Sequence, residues 1–220
     1  MLLFIGSILE DDEIVQLRED LMQLRWADGR TTAGWHARDV KRNQQADPRD
    51  ARLQAIRTRI AERIGANEVF ALAVRPARMG PLLLSRYGPG MSYGRHVDDA
   101  LMGGARSDVS FTLFLSDPAD YEGGELVIES TAGEQPWKLP AGSLVLYPST
   151  TLHRVAEVTR GTRLVAVGWA QSLIRDPARR ELLFELDTAR RAIFAQQGKS
   201  DTFDLVSKAC SNLLRMWAEP

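Results

Sequence analysis

Between residues 69 and 171 the chain consists of short apolar runs cut apart by turn residues, and this pattern leaves few folds open. The clearest runs are 82–84, 111–115, 126–128, 144–147 and 164–167. Gly88-Pro89-Gly90, Gly103-Gly104, Gly123-Gly124, Pro140-Ala141-Gly142 and Arg160-Gly161 punctuate them. Runs this short do not make stable helices, and strands this closely spaced bury their apolar faces in a sandwich or barrel.

The flanks read differently. Met1 to Leu9 is apolar and short, a first strand or a helix lead-in. In residues 12–24, Ile14, Leu17, Leu21 and Leu24 fall at helical spacing, with Asp11 or Asp12 as the expected cap. Residues 28–48 are polar, carry Gly29, Gly34 and Pro48, and read as a long loop bearing Trp35 and His36. Such a loop is either a packed structural segment or a lid. A second helix is expected over residues 48–64, and further helices over 176–194 and 204–217. The fold class is therefore α+β, with helices on either side of a β core.

The 220 residues, 44% hydrophobic, suffice for one sizeable core. With 28 basic and 29 acidic residues the net charge is −1, which gives no footprint for nucleic acid. Basic residues gather at 38–42 and 52–63 and read as solvated helix faces. The single cysteine, Cys210, permits no internal disulfide, which fits a reducing compartment. No run approaches the roughly 20 apolar residues of a membrane span. The expectation is a soluble, cytoplasmic protein, with its amphipathic terminal helices either docked on the body or forming a homodimer seam.

The chain has three histidines: His36, His96 and His153. In Arg95-His96-Val97-Asp98 the pattern is His-x-Asp, and on an extended strand such residues share a face. His153, just past the run 144–147 and its turn, can bring a third ligand from a distant strand. Two imidazoles and a carboxylate leave about three positions open on an octahedral ion, which suits non-haem Fe(II) that also binds a co-substrate and oxygen. A structural zinc site is usually richer in cysteine. Arg163 leads the last apolar run, where an arginine is costly to bury without an acidic partner. Either it lies at a strand edge, in solvent or paired with Glu157, or it grips the distal carboxylate of a diacid co-substrate. Trp169 shares its strand face and can wall that pocket, or is simply core. Tyr93 is a candidate for the layer behind the ligands, while Arg95 and Arg154 read as surface charges.

The stretch Arg86-Tyr-Gly-Pro-Gly-Met-Ser-Tyr-Gly-Arg-His-Val-Asp98 resembles the entry strand of prolyl-4-hydroxylase-like Fe(II)/2-oxoglutarate dioxygenases. So do Tyr121-Glu-Gly-Gly-Glu-Leu126 and Gly142-Ser-Leu-Val-Leu-Tyr-Pro-Ser149. Within that family the chain is most similar to the bacterial PKHD-type hydroxylases, a likeness that extends through Asp28-Gly-Arg-Thr-Thr-Ala-Gly34, Val40-Lys-Arg-Asn43 and Asn212-Leu-Leu-Arg-Met-Trp217. The resemblance implies a double-stranded β-helix (jelly-roll) over residues 76–175. Residues 1–75 would then form a helical and loop segment integral to the fold, and 176–220 a C-terminal helical extension. It implies iron ligands at His96, Asp98 and His153, a 2-oxoglutarate arginine at Arg163, and a co-substrate hydrogen bond from Tyr87. Some relatives place a second tyrosine where this chain has Phe114, which cannot donate that bond.

The implied activity is hydroxylation of an unactivated C–H with O2, releasing succinate and CO2, and with ascorbate as an accessory. Its substrate would be a peptidyl or free amino acid, or a small metabolite. The retained carboxylate Asp98 favours hydroxylation over halogenation. Two other readings share the metal ligands: a cupin-like metal protein that does not use 2-oxoglutarate, and a non-catalytic binding module.

Overall fold

The computed structural model describes residues 1–219. In chain order, the strands of its two main sheets are β1 (Leu3–Ile5), β2 (Trp26–Asp28), β3 (Lys41–Arg42), β4 (Gln44–Ala46), β5 (Pro76–Met79), β6 (Leu83–Tyr87), β7 (Ser92–His96), β8 (Val109–Phe114), β9 (Leu126–Ser130), β10 (Gly133–Trp137), β11 (Leu144–Pro148), β12 (His153–Val155) and β13 (Arg163–Ser172). The helices are α1 (Asp11–Met22), α2 (Leu53–Ala66), α3 (Glu68–Val74), α4 (Pro177–Gln197) and α5 (Asp201–Trp217).

The larger sheet runs β1-β11-β8-β13-β6-β4-β2, with β5 also paired to β13. The smaller runs β10-β9-β12-β7-β3. All these pairings are antiparallel. Side chains alternate across each strand, so β6, β8, β11 and β13 of the larger sheet each serve two cores. Leu164, Ala166 and Ala170 of β13 join Phe111 and Leu113 of β8 and the apolar faces of α1, α2 and α3 in the main core. Val165 of β13, Phe114 of β8, Val145 and Tyr147 of β11 and Tyr87 of β6 point the other way, toward Leu126, Ile128 and Val155 of the smaller sheet. Burying each large apolar side chain contributes roughly 1.5–3 kcal/mol. Arg163 falls on the inner parity too, and the parity is what aims it between the sheets.

Several details depart from the sequence expectations. Residues 68–74 are helical, because the apolar stretch begins at an Asn67 cap whose side chain accepts from Phe70 N. The cap of α1 is Glu10, tied through its N–H to Glu13, while Asp11 and Asp12 occupy the first turn, where the helix dipole favours them. Helix α2 starts at Leu53, because Asp47 and Asp50 bind Arg49 and Arg52 in turns that precede it. Residues 28–48 are no single loop: they contain β3, β4 and two single-turn 3-10 helices, Gly29–Thr32 and Ala37–Val40. Lys41 in this segment is buried, so the basic cluster at 38–42 is not a solvated helix face. The cluster at 52–63 does lie on a helix, where Arg59 and Arg63 pair with Asp20 and Glu13 of α1.

Candidate metal centre and its cleft

β7 and β12 lie side by side with His96 directly opposite His153, their ring centroids 4.3 Å apart. β7 ends at His96, so Asp98 stands two residues beyond the strand rather than on its face. It still reaches back. Asp98 Oδ1 lies 3.9 Å from His96 Nε2 and 3.8 Å from His153 Nε2. One ligand atom from each residue falls within 4.8 Å of the others.

The two rings are held in one tautomer. His96 Nδ1 faces Gly94 O at 2.8 Å, and His153 Nδ1 faces Thr151 O at 3.0 Å. A nitrogen facing a carbonyl must donate, so each Nε2 keeps its lone pair for a metal. Burial, then the neighbouring His153, push the His96 pKa below the ordinary imidazole range, which favours the neutral, ligating form. Tyr93 stacks on His96 with centroids 3.7 Å apart, and Tyr147 meets His153 edge-on at 5.0 Å. Gly94 has no room to be anything else: a Cβ there would lie 2.6 Å from Val40 Cβ. Asp98 Oδ2 accepts from Ser110 Oγ at 2.5 Å, and Ser110 Oγ lies 2.8 Å from Ser149 Oγ. With its single proton committed to the carboxylate, Ser110 Oγ accepts a hydrogen bond from Ser149 Oγ. Two imidazoles that turn Nε2 inward and one pre-oriented carboxylate, all opening on one side, fit a divalent ion with open positions.

That open side is a cleft between the sheets, lined among others by the triad, Lys41, Tyr93, Arg163 and Trp169. Arg163 is only 1% exposed, which excludes the solvent-edge reading, and it forms no ion pair with Glu157. Its guanidinium lies 5.1 Å from the Tyr87 ring centroid and 5.6 Å from that of Phe114. Its Nε has no hydrogen-bond partner. Burial raises the Tyr87 phenol above its ordinary pKa, against the pull of Arg163, so Tyr87 keeps its proton and can donate it. Gly123-Gly124 forms a turn at positive φ, and Gly124 packs against Arg163 itself. Trp169 does not flank the guanidinium. It lies six residues on, about 20 Å along an extended strand, opposite Ser110 at the triad end. Its Nε1 is buried without a partner.

Sequence reasoning missed Ser110, Ser149, Thr32, Lys41, Asn43 and Gln45, all of which line this cleft or hold its ligands. Lys41, Asn43 and Gln45 alternate with the outward Arg42 and Gln44, but both parities are polar, so no amphipathic pattern marks them. Lys41 is 4% exposed, and burial lowers its pKa to about 8. Arg95 and Arg154 lie outside, paired with Glu129 and Glu134.

Residues 82–171 match the model of the 2OG-Fe(II) oxygenase superfamily, and residues 177–219 match the PKHD-type hydroxylase C-terminal domain. A PKHD-type hydroxylase of Picosynechococcus sp. is 54% identical over 215 residues, covering 98% of both chains. The chain belongs to the PKHD-type hydroxylase family. Another member, from Acaryochloris marina, is 53% identical and covers 100% of both chains. This PKHD-type hydroxylase is accordingly an Fe(II)- and 2-oxoglutarate-dependent dioxygenase that uses O2. Solved structures share its jelly-roll. A Pseudomonas putida prolyl-4-hydroxylase superposes with a TM-score of 0.51 at 24% identity, over 78% of this chain and 92% of that one. HygX of Streptomyces hygroscopicus, solved with nickel and 2-oxoglutarate bound, gives 0.56 at 14% identity over 79% and 84%. Among the described residues of the hydroxylase, no helix is long and apolar enough to cross a membrane.

Proposed function

We propose that His96, Asp98 and His153 hold the Fe(II) of this hydroxylase and that Arg163 anchors the distal carboxylate of 2-oxoglutarate in the same cleft. The observation that carries this reading is Arg163. An arginine that is 1% exposed, lacks an acidic partner and leaves Nε unsatisfied carries a large desolvation cost unless an anion arrives to meet it. The planar fork between Tyr87 and Phe114 suits a carboxylate. With Phe114 in place of a phenol, Tyr87, the buried Tyr121 phenol beside Arg163 and the buried Asn43 amide, itself without a partner, are neutral groups near that carboxylate.

Iron with 2-oxoglutarate and oxygen supplies the oxidation of an unactivated C–H. The chain's own part is to present two Nε2 atoms and one carboxylate oxygen and to hold them by Gly94, Thr151 and Ser110. Trp169, opposite Ser110, walls the triad end and offers Nε1 to a ligand there. The substrate in this reading is a peptidyl or free amino acid, or a small metabolite, and ascorbate serves as an accessory. Residues 76–175 make the oxygenase core, residues 1–75 complete it through β4 and β2 in the larger sheet, and 176–220 form the extension. The reading also makes the protein a cytoplasmic enzyme and a homodimer. Exposed Leu205 and Met216 of α5 are available to a second copy, and the balanced charge gives nucleic acid no footprint.

The test is spectroscopic. Fe(II) and 2-oxoglutarate added without oxygen should give the visible charge-transfer band of the chelate, and Arg163→Met should abolish it at the same 2-oxoglutarate concentration. Iron binding without that band, or a band indifferent to Arg163→Met, overturns the reading in favour of a metal protein that does not use 2-oxoglutarate. Succinate released on admitting oxygen is the expected sign of turnover.

A further inference from the structure

Lys41 sits in the cleft with no role in the chemistry described above. It is the first residue of β3, the edge strand of the smaller sheet, directly opposite Tyr93. Its ammonium lies 5.0 Å from the centroid of the Tyr93 ring, the ring that stacks on His96. Lys41 Nζ donates to Thr32 Oγ1 at 3.0 Å, and Thr32 Oγ1 donates in turn to Gln45 Oε1 at 2.5 Å. Among the described residues the ammonium has no other hydrogen-bond partner and makes no ion pair.

A lysine ammonium has three protons to donate, and here one neutral hydroxyl and an aromatic face receive them. Removing such a charge from water is expensive, and a hydrophobic side chain of the same length would pack there at lower cost. Holding Thr32 in place does not require a charge. Lys41 is 4% exposed yet borders the cleft, and Asp98 and Asp28, the carboxylates whose charges act on it, make no ion pair with it, which is the arrangement of a group that waits for an anion to complete it.

We propose that Lys41 anchors a carboxylate carried by the prime substrate. The inference rests on the function proposed above, which uses both ends of 2-oxoglutarate: one on the metal and the other on Arg163. No carboxylate of the co-substrate is then left for Lys41, which lies on the opposite sheet from Arg163. A monoanion fits better than a phosphate dianion, because Asp98 and Asp99 line the same cleft. Lys41 thus selects substrates with a free acid group and turns their other end toward the triad beside Tyr93.

The test uses the Fe(II)- and 2-oxoglutarate-loaded protein under argon, with the visible chelate band as readout. The probes are N-acetyl amino acids and their matched N-methylamides. At least one acid is expected to perturb the band with a half-saturation at least about 10-fold below that of its amide. That preference should fall to within about twofold in Lys41→Met and in Lys41→Gln, and survive in Lys41→Arg. 2-Oxoglutarate titrations of the two neutral variants should stay within about twofold of the parent. Near-UV circular dichroism checks that each variant is folded. Acids and amides that behave alike, or no response to any pair, overturn the proposal. So does a loss of 2-oxoglutarate affinity in Lys41→Met that matches Arg163→Met, since the anion would then be the co-substrate's. A parent protein that never forms the band instead overturns the function on which the inference rests.

Discussion

Ser110 Oγ donates to Asp98 Oδ2 at 2.5 Å, so the triad's only carboxylate is oriented before any metal arrives. Asp98 lies past the end of β7 and has no strand to fix it. Ser110, rooted in β8, supplies the rigidity. Groups behind metal ligands typically change affinity 10- to 100-fold when removed. Ser110→Ala is expected to weaken Fe(II) binding by about 10-fold while leaving the far-ultraviolet spectrum unchanged. Anaerobic calorimetric titration decides it, and a change within twofold would show that Asp98 holds its place unaided.

Arg163→Lys keeps the charge but loses the planar fork. A bidentate arginine and a point-charge lysine differ at such a site by about 2 kcal/mol, or roughly 30-fold. The half-saturation for 2-oxoglutarate, read from the visible band, should rise by about that factor. Unchanged affinity would mean that Arg163 acts only as a diffuse positive charge.

Gly124 has φ +68, and a Cβ there would lie 2.8 Å from Val158 Cγ2 and 3.1 Å from Arg163 Cδ. Gly124→Ala therefore combines backbone strain with a push on the arginine stem. A loss of about 1–3 kcal/mol is expected in urea unfolding, together with weaker 2-oxoglutarate binding. A purely structural glycine would show the first effect without the second.

Lys41 should reveal its cost in the metal-free protein. Burial depresses its pKa from 10.5 to about 8, a penalty of at most about 3 kcal/mol on the charged native state. Lys41→Met, which also loses the Thr32 bond, is expected to be more stable at pH 7 by about 1–2 kcal/mol. The sign with pH follows from proton binding. Below pH 8 both native and unfolded Lys41 are charged, and the penalty is complete. Between about 8 and 10.5 only the unfolded chain keeps the proton, so the wild type regains stability as pH rises and the gap closes. Urea unfolding of both proteins across that range measures it, and a gap that widens with pH would contradict the assignment.

The candidate metal centre was legible because its chemistry is carried by rare residue types at telling positions. Three histidines in the whole chain, two of them near turns of a β region, left little choice. Arg163 stood out because an arginine that opens an apolar run needs a reason, and the fold buries it between the sheets. The sequence did not reveal residues 28–48 as part of the cleft wall. Lys41, Asn43 and Gln45 are buried polar residues among exposed polar residues, and strand alternation is invisible when both faces are hydrophilic. Trp169 was placed on the right face but at the wrong neighbour, since shared parity says nothing about six residues of distance along the strand. The helix Glu68–Val74 escaped because seven residues, mostly apolar, fit a strand as well as a helix until the Asn67 cap is seen.

β13 is the last strand in the sequence and yet lies in the middle of the larger sheet, between β8 and β6. During synthesis, therefore, β6 and β8 wait without the partner that joins them until residues 163–172 have been made. Their open edges are available to wrong neighbours for that whole interval. The pairings that end the wait link residues far apart in the chain, which makes folding slow. Arg163 arrives on that same strand, so a chain cut short before it has neither a closed sheet nor the anchor proposed for the co-substrate, and it should accumulate as aggregate rather than as a smaller, inactive domain.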